Sequence, residues 1–170
     1  LEGKSTLASP RLTKADDWSI QPKNFVLYCV KFVNPWHGEY LRRGVDQATI
    51  AGASKTLVRH ASHVEKDEVV GISTNGYRKN ILSLTTKDEN GNSFGYDLHL
   101  TFDEQGNCTI TDQSDDIEVS GSGKFVVDGE KNSLGGKERN ALYLDYTVDF
   151  GSRNMKYATK DTLVLRTRNV

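Results

Sequence analysis

Proline is missing from most of this chain: Pro10, Pro22 and Pro35 all lie in the first 35 of its 170 residues. A proline-free remainder keeps every ladder donor and so permits long central strands. Cysteine is scarce too, and Cys29 and Cys108 are too few for a disulfide scaffold. Each lies in a strand-like run among apolar neighbours, which predicts two buried free thiols, with a single bridge between them as the alternative. Long apolar runs are also lacking. The longest, Phe25–Val33, falls far short of the roughly 18 residues a membrane span requires, so no transmembrane span is expected in this chain. Nor is there a basic excess. Lys and Arg number 22 against 23 Asp and Glu, for a net charge of −1, so nucleic acid is not an expected partner. The chain opens without a secretory leader, and Leu1 is not a natural start residue. It is therefore expected to be a piece of a longer protein whose targeting signal lay upstream.

What is present is a globular composition, 36% apolar and 26% charged, arranged with a period of two. Residues 1–22 are rich in Ser, Thr, Lys and Asp without periodicity, and read as a linker or a remnant of an upstream domain. Residues 23–170 read as one β domain. Asn24–Val33 is apolar on both faces and predicts a buried strand. Further strands are predicted over Gly38–Thr49, Lys55–His63, Glu68–Thr74, Arg78–Thr86, Tyr96–Phe102, Cys108–Asp112, Ile117–Val127, Ala141–Phe150 and Lys156–Thr167. In Ala141–Phe150, Leu142, Leu144, Tyr146 and Val148 alternate with Tyr143, Asp145 and Thr147, one face dry and one wet. Turn pairs such as Asn75-Gly76, Asp128-Gly129 and Gly135-Gly136 punctuate the strands. No stretch carries a capped helical stripe; a short helical turn near Asp46–Lys55 is the most that fits. Eight to ten such strands predict an all-β, antiparallel up-and-down β-barrel, since closure removes exposed edges; a β-sandwich is the alternative.

Motif tests exclude several chemistries. Asp88-Glu89-Asn90-Gly91-Asn92 has the first spacings of a calcium loop, but Ser93 and His99 stand where Gly and Glu are needed, leaving a solvated turn. Gly121-Ser122-Gly123-Lys124 lacks the leading Gly and the trailing hydroxyl of a phosphate loop. His60 and His63 lie three apart, on opposite faces of a strand, and no metal or cofactor site is expected. Asp145 and Asp149 would stand about 13 Å apart along a strand at roughly 3.3 Å per residue, beyond the reach of a glycosidase pair. No nucleophile, base and acid set emerges, so no catalytic residue is expected and the chain reads as a non-enzyme.

One segment has unusual chemistry. Asn34-Pro35-Trp36-His37-Gly38-Glu39-Tyr40-Leu41-Arg42-Arg43-Gly44 packs two aromatics, a histidine and two arginines together. Trp36, His37, Tyr40, Arg42 and Arg43 are the candidate ligand-binding residues. An exposed ring could stack on a sugar while Arg or His bonds its hydroxyls. Alternatively Trp36 closes one end of the barrel, with an Arg on its ring and Tyr40 in the core.

The run Val30–Gly44 resembles the opening of a C-terminal barrel module found in Bacteroidetes cell-surface lipoproteins of unknown function, where it follows an Ig-like domain. Ser120–Phe125, Arg139–Tyr146 and Tyr157–Arg166 resemble the same module, so the similarity covers about residues 20–168. The resemblance implies a lipocalin-like (calycin-like) barrel held in the cell envelope, at the outer-membrane surface or in the periplasm, through an anchor on the parent chain. It implies a glycan-handling setting and carries no catalytic residues. The expectation is a non-catalytic module that binds or presents glycan. Its alternatives are a carrier of a small apolar ligand and an adhesin or assembly subunit with a protein partner.

Overall fold

The computed structural model describes residues 3–23 and 28–168. It divides into two compact units, 1–31 and 32–170. In the first, Lys4 and Ile20 form an antiparallel bridge, and a single 3₁₀ turn, Ala15–Asp17, lies between them. Asp17 pairs with Arg11 and Lys14, and Trp18 Nε1 donates to the Arg11 carbonyl at 2.9 Å.

The second unit is a closed, eight-stranded, antiparallel up-and-down β-barrel. Its strands are β1 (Gly38–Ile50), β2 (Ala53–Arg59), β3 (Glu68–Thr74), β4 (Lys79–Lys87), β5 (Ser93–Phe102), β6 (Asn107–Thr111), β7 (Glu118–Glu130), β8 (Arg139–Asp149) and β9 (Met155–Thr167). Neighbours pair in sequence from β3 to β9, and β1 closes the ring by pairing with both β9 and β3. β1 is long enough to serve two partners on one edge. Its Gly38–Arg42 half pairs with β3, and its Gly44–Ile50 half with β2. β2 is thus a ninth strand beside the ring of eight.

Period two sets the interior. Tyr40, Leu82, Leu98, Leu100, Ile110, Leu142, Tyr146 and Leu163 are all but inaccessible. Gly121 and Gly123 on β7 admit their neighbours: a Cβ on either would run into Tyr146 or Leu144 of β8. Three residues break the alternation. Leu41, Val164 and Ala141 lie in register across β1, β9 and β8 on the outer face, yet are buried. The turn Val64–Lys66 packs on β1 there, and the turn Leu134–Gly136 packs on that turn.

One barrel end is plugged. Trp36 stacks on Phe102 with centroids 4.2 Å apart and planes 5° from parallel, and the Tyr40 hydroxyl donates to the Trp36 carbonyl at 2.8 Å. Asn34 and Asn80 exchange amide hydrogen bonds at 2.8 and 3.0 Å beneath it. Truncating a buried tryptophan removes both transfer energy and packing, so Trp36→Ala is expected to cost about 3–5 kcal/mol. Urea unfolding measures this; a loss under about 1 kcal/mol would mean the indole is not the plug.

Some expectations need correction. Residues 24–27 of the predicted first strand lie outside the described residues, and 28–33 carry no strand: Tyr28, Val30 and Phe32 are exposed. Cys29 is exposed rather than buried, whereas Cys108 is buried, and both are free; burial pushes the Cys108 thiol up to about 12. In place of a helical turn near Asp46–Lys55, β1 and β2 join in a tight hairpin with positive φ at Ala51 and Gly52 (49° and 80°). Asp128-Gly129 is not a turn, because β7 continues past it through a register shift to Glu130. The rejected calcium sequence is one of two like-built hairpin turns. Asp88 accepts from the backbone of Asn90 and Asn92 and from the Asn92 amide, and Asp103 accepts identically from Gln105 and Asn107.

Candidate functional site

The inward positions of β1 are Tyr40, Arg42, Gly44, Asp46 and Ala48, so two charged side chains enter the barrel. β9 sets Asp161 opposite Gly44 and Thr159 opposite Asp46. β2 sets Arg59 opposite Gly44 from the other side. Gly44 therefore lies between Arg59 and Asp161, and with no side chain there the guanidinium reaches across β1. Arg59 Nη2 meets Asp161 Oδ1 at 2.7 Å and Asp46 Oδ1 at 2.8 Å, while its Nε meets Asp46 Oδ2 at 2.8 Å. Arg42 donates Nε to Asp161 Oδ2 at 2.8 Å, Nη2 to the Tyr146 hydroxyl at 3.3 Å and Nη1 to Glu68 at 3.3 Å. Tyr146 and Thr159 donate to Asp161 and Asp46 at 3.0 and 2.7 Å.

A charge taken out of water is costly unless paired and hydrogen-bonded. Burial opposes the charge on Arg42, but Tyr146 and Asp161 outweigh it and hold its pKa above the ordinary value. Burial opposes Arg59 likewise, and its bonds to Asp46 prevail. Burial would raise Asp46, yet the hydrogen bonds from Arg59 and Thr159 hold it below the ordinary carboxylate range. Burial pushes Tyr96 up to about 12 and Tyr146 well above the ordinary phenol value. Both phenols thus stay protonated at neutral pH.

A carboxyl held low in the fold stabilises it above the unfolded pKa near 4, and that contribution is lost as pH falls through the folded value. Wild-type melting temperature is therefore expected to drop below about pH 4. The Asp46→Asn variant should be less stable at neutral pH and lose less on acidification. Parallel acid limbs for the two proteins, followed by circular dichroism, would show that Asp46 carries no such linkage.

The barrel wall is open in two places beside this network. β3 pairs with β4 only over Ile72–Thr74 and Asn80–Leu82, leaving the rest of β4 without a ladder partner on that side. A window of about 370 Å³ lies there, lined by residues 56–59 of β2, Thr85 and Thr86 of β4, Arg42, Asp46, Tyr96 and Tyr157. β6 is short and pairs with β5 only from His99 to Phe102. A cleft of about 620 Å³ opens beside the remainder of β5, lined by Phe94, Tyr96, Asp97, Asp116, Phe150 and Arg153 among others. Phe150 meets Phe94, Tyr96 and Tyr157 edge-on at 5.3, 5.0 and 5.7 Å. The Arg153 guanidinium lies 4.1 Å over the Phe94 ring. Thr85 and Tyr96 line both openings.

Residues 35–169 match a domain of unknown function, DUF5627. The chain belongs to the DUF5627 family. A crystal structure from Bacteroides ovatus at 2.40 Å resolution, described as structural genomics of unknown function, is 62% identical with a TM-score of 0.88. The match covers 100% of this chain and 54% of that one, so this chain spans about half the length of its solved relative. No curated protein matches it.

The DUF5627 barrel separates the five residues singled out from sequence. Trp36 and Tyr40 are buried in the plug, so neither ring offers a face to solvent. His37 Nδ1 accepts from the Thr74 backbone at 3.2 Å. Arg43 points outward and pairs with Asp67 at 2.6 Å. Arg42 alone reaches the interior network. Sequence reasoning missed Asp46, Arg59, Tyr146 and Asp161. The available signal was parity, since Arg59 shares the face of Leu57 and Asp161 that of Tyr157 and Leu163. The acids tested earlier as a pair are engaged on the outer wall: Asp145 with Lys160 and Asp149 with Lys156. Among the described residues no group of His, Cys, Asp and Glu is disposed to hold a metal, and no helix is long and apolar enough to cross a membrane.

Proposed function

We propose that this domain is a non-catalytic binding module that takes a glycan in the cleft beside β5, as part of a bacterial surface lipoprotein of the cell envelope. The observation that carries the reading is the cleft beside β5. Its size suits a small ligand, since pockets of about 300–1,000 Å³ are typical. Half-buried Phe94 and Tyr96, backed by buried Phe150, meet a rim of Asp97, Asp116 and Arg153 there, which is the mixture of apolar surface and polar arms that a sugar ring needs. The interior leaves little for an apolar carrier, because Tyr40, Tyr146, Phe150 and the core leucines fill it. The cell-envelope setting rests on the resemblance of Val30–Gly44 to surface-lipoprotein modules.

The test is titration of the domain against neutral and acidic oligosaccharides by calorimetry. Binding in the micromolar to millimolar range is expected. Arg153→Ala, an exposed change, should weaken it about tenfold, as expected for a lost hydrogen bond to a charged group. An absence of binding to every oligosaccharide at millimolar concentration would remove the glycan reading.

A further inference from the structure

The guanidinium of Arg59 presents one edge, Nε and Nη2, to Asp46 and Asp161. Its planar fork sends Nη1 to the opposite edge. That nitrogen is buried and, among the described residues, has no hydrogen-bond partner. A buried donor without an acceptor is costly and marks a place where an acceptor fits. Arg59 lines the window between β2 and β4, which is where such an acceptor would enter.

The surroundings select the acceptor. Arg42 and Arg59 face Asp46, Asp161 and Glu68, two positive charges against three negative. An anionic ligand gains nothing from that balance, and a neutral carbonyl oxygen accepts from Arg59 without adding charge. Beside the arginine, Leu57, Tyr96 and Tyr157 add apolar and aromatic surface among the threonines of the lining. A carbonyl that carries a small methyl group satisfies both surfaces. Tyr96 and Thr85 line the window and the cleft alike, so the two openings lie next to each other.

We propose that the window is a subsite for the acetamido group of an N-acetylated sugar, its carbonyl accepting from Arg59 Nη1 and its methyl resting on Leu57 and Tyr157. The proposal rests on the glycan reading and names the sugar class that reading leaves open.

The experiment compares an N-acetylglucosamine trimer with a glucose trimer by calorimetry on the full chain. The acetylated trimer is expected to bind about tenfold more tightly, the worth of one hydrogen bond to a charged donor. Arg59→Lys should bring the two ligands within about twofold. Because that variant also perturbs the ion network, saturation-transfer NMR on the wild type supplies a second readout, and the acetyl methyl should receive the strongest transfer. Equal affinity for both trimers, or weak transfer to the methyl, overturns the subsite and leaves the glycan reading standing. Failure of both trimers and all other oligosaccharides to bind overturns the two together.

Discussion

Asp161→Asn is expected to destabilise the barrel by about 3–5 kcal/mol, because it removes the negative charge shared by two buried guanidinium groups. Asp161 is fully covered, and its two oxygens take Arg42, Arg59 and Tyr146. Asparagine keeps the shape and one acceptor oxygen but offers an N–H₂ toward a cation. Arg42, with 5% of its side chain exposed, then keeps only half-exposed Glu68 as a charged partner. In a domain of this size the loss should lower the melting temperature by roughly 10 °C. Asp145→Asn is the matched control, because Asp145 stands on the same wall but pairs with Lys160 in solvent, at 66% and 80% exposure. An exposed pair is worth little, so that change should stay within about 0.5 kcal/mol. Equal melting temperatures for the two variants would show that the interior network does not hold the barrel together.

The contrast between these two aspartates also marks what the sequence made legible. Asp145 was readable, because it alternates with Leu144 and Tyr146 in a strand with one dry face. Asp161 was not read as buried, because a charge in a strand is ordinarily solvated and its partners lie 119 and 102 residues away. Period two located each of the nine strands, since alternation is a local property of neighbouring residues. The reading failed at 28–33, part of a run taken as a buried strand because it is apolar on both faces. An apolar run states what a segment would bury if paired, and the described residues there form no ladder. In the Trp36–Gly44 cluster the reading of Trp36 as an end plug with Tyr40 in the core holds, with Phe102 rather than an arginine on the indole, but the wall and network roles of Arg43 and Arg42 were not legible. Adjacent residues of one strand leave on opposite faces, and which face meets a partner depends on β3, β9 and β2. The openings at β2 and β5 were not legible at all, because they arise where short strands leave longer neighbours unpaired.

Gly44→Ala is expected to be as damaging as the loss of Asp161, although it adds only one methyl group. A Cβ at Gly44 would collide with the Asp161 carboxylate and the Lys160 carbonyl. Neither obstacle is the free end of a flexible chain: the carbonyl belongs to the β1–β9 ladder and the carboxylate is held by two arginines. Relief requires either separating β1 from β9 or expelling Asp161 from its partners. Overpacking alone costs about 1–3 kcal/mol, and displacing the carboxylate adds part of the cost of a broken buried pair. A loss of about 3 kcal/mol or more is therefore expected in urea unfolding. Gly71→Ala separates this steric effect from a general intolerance of side chains at strand glycines. Gly71 lies on β3 opposite Glu39 of the same β1 strand, and a Cβ there meets nothing within 4 Å. Restricting the unfolded chain at an unstrained glycine stabilises by about 0.4–1 kcal/mol, so Gly71→Ala should be neutral or slightly stabilising. A Gly44→Ala protein that unfolds at the wild-type urea concentration would mean that Arg59 and Asp161 do not meet across β1, and the window beside them would lose its floor.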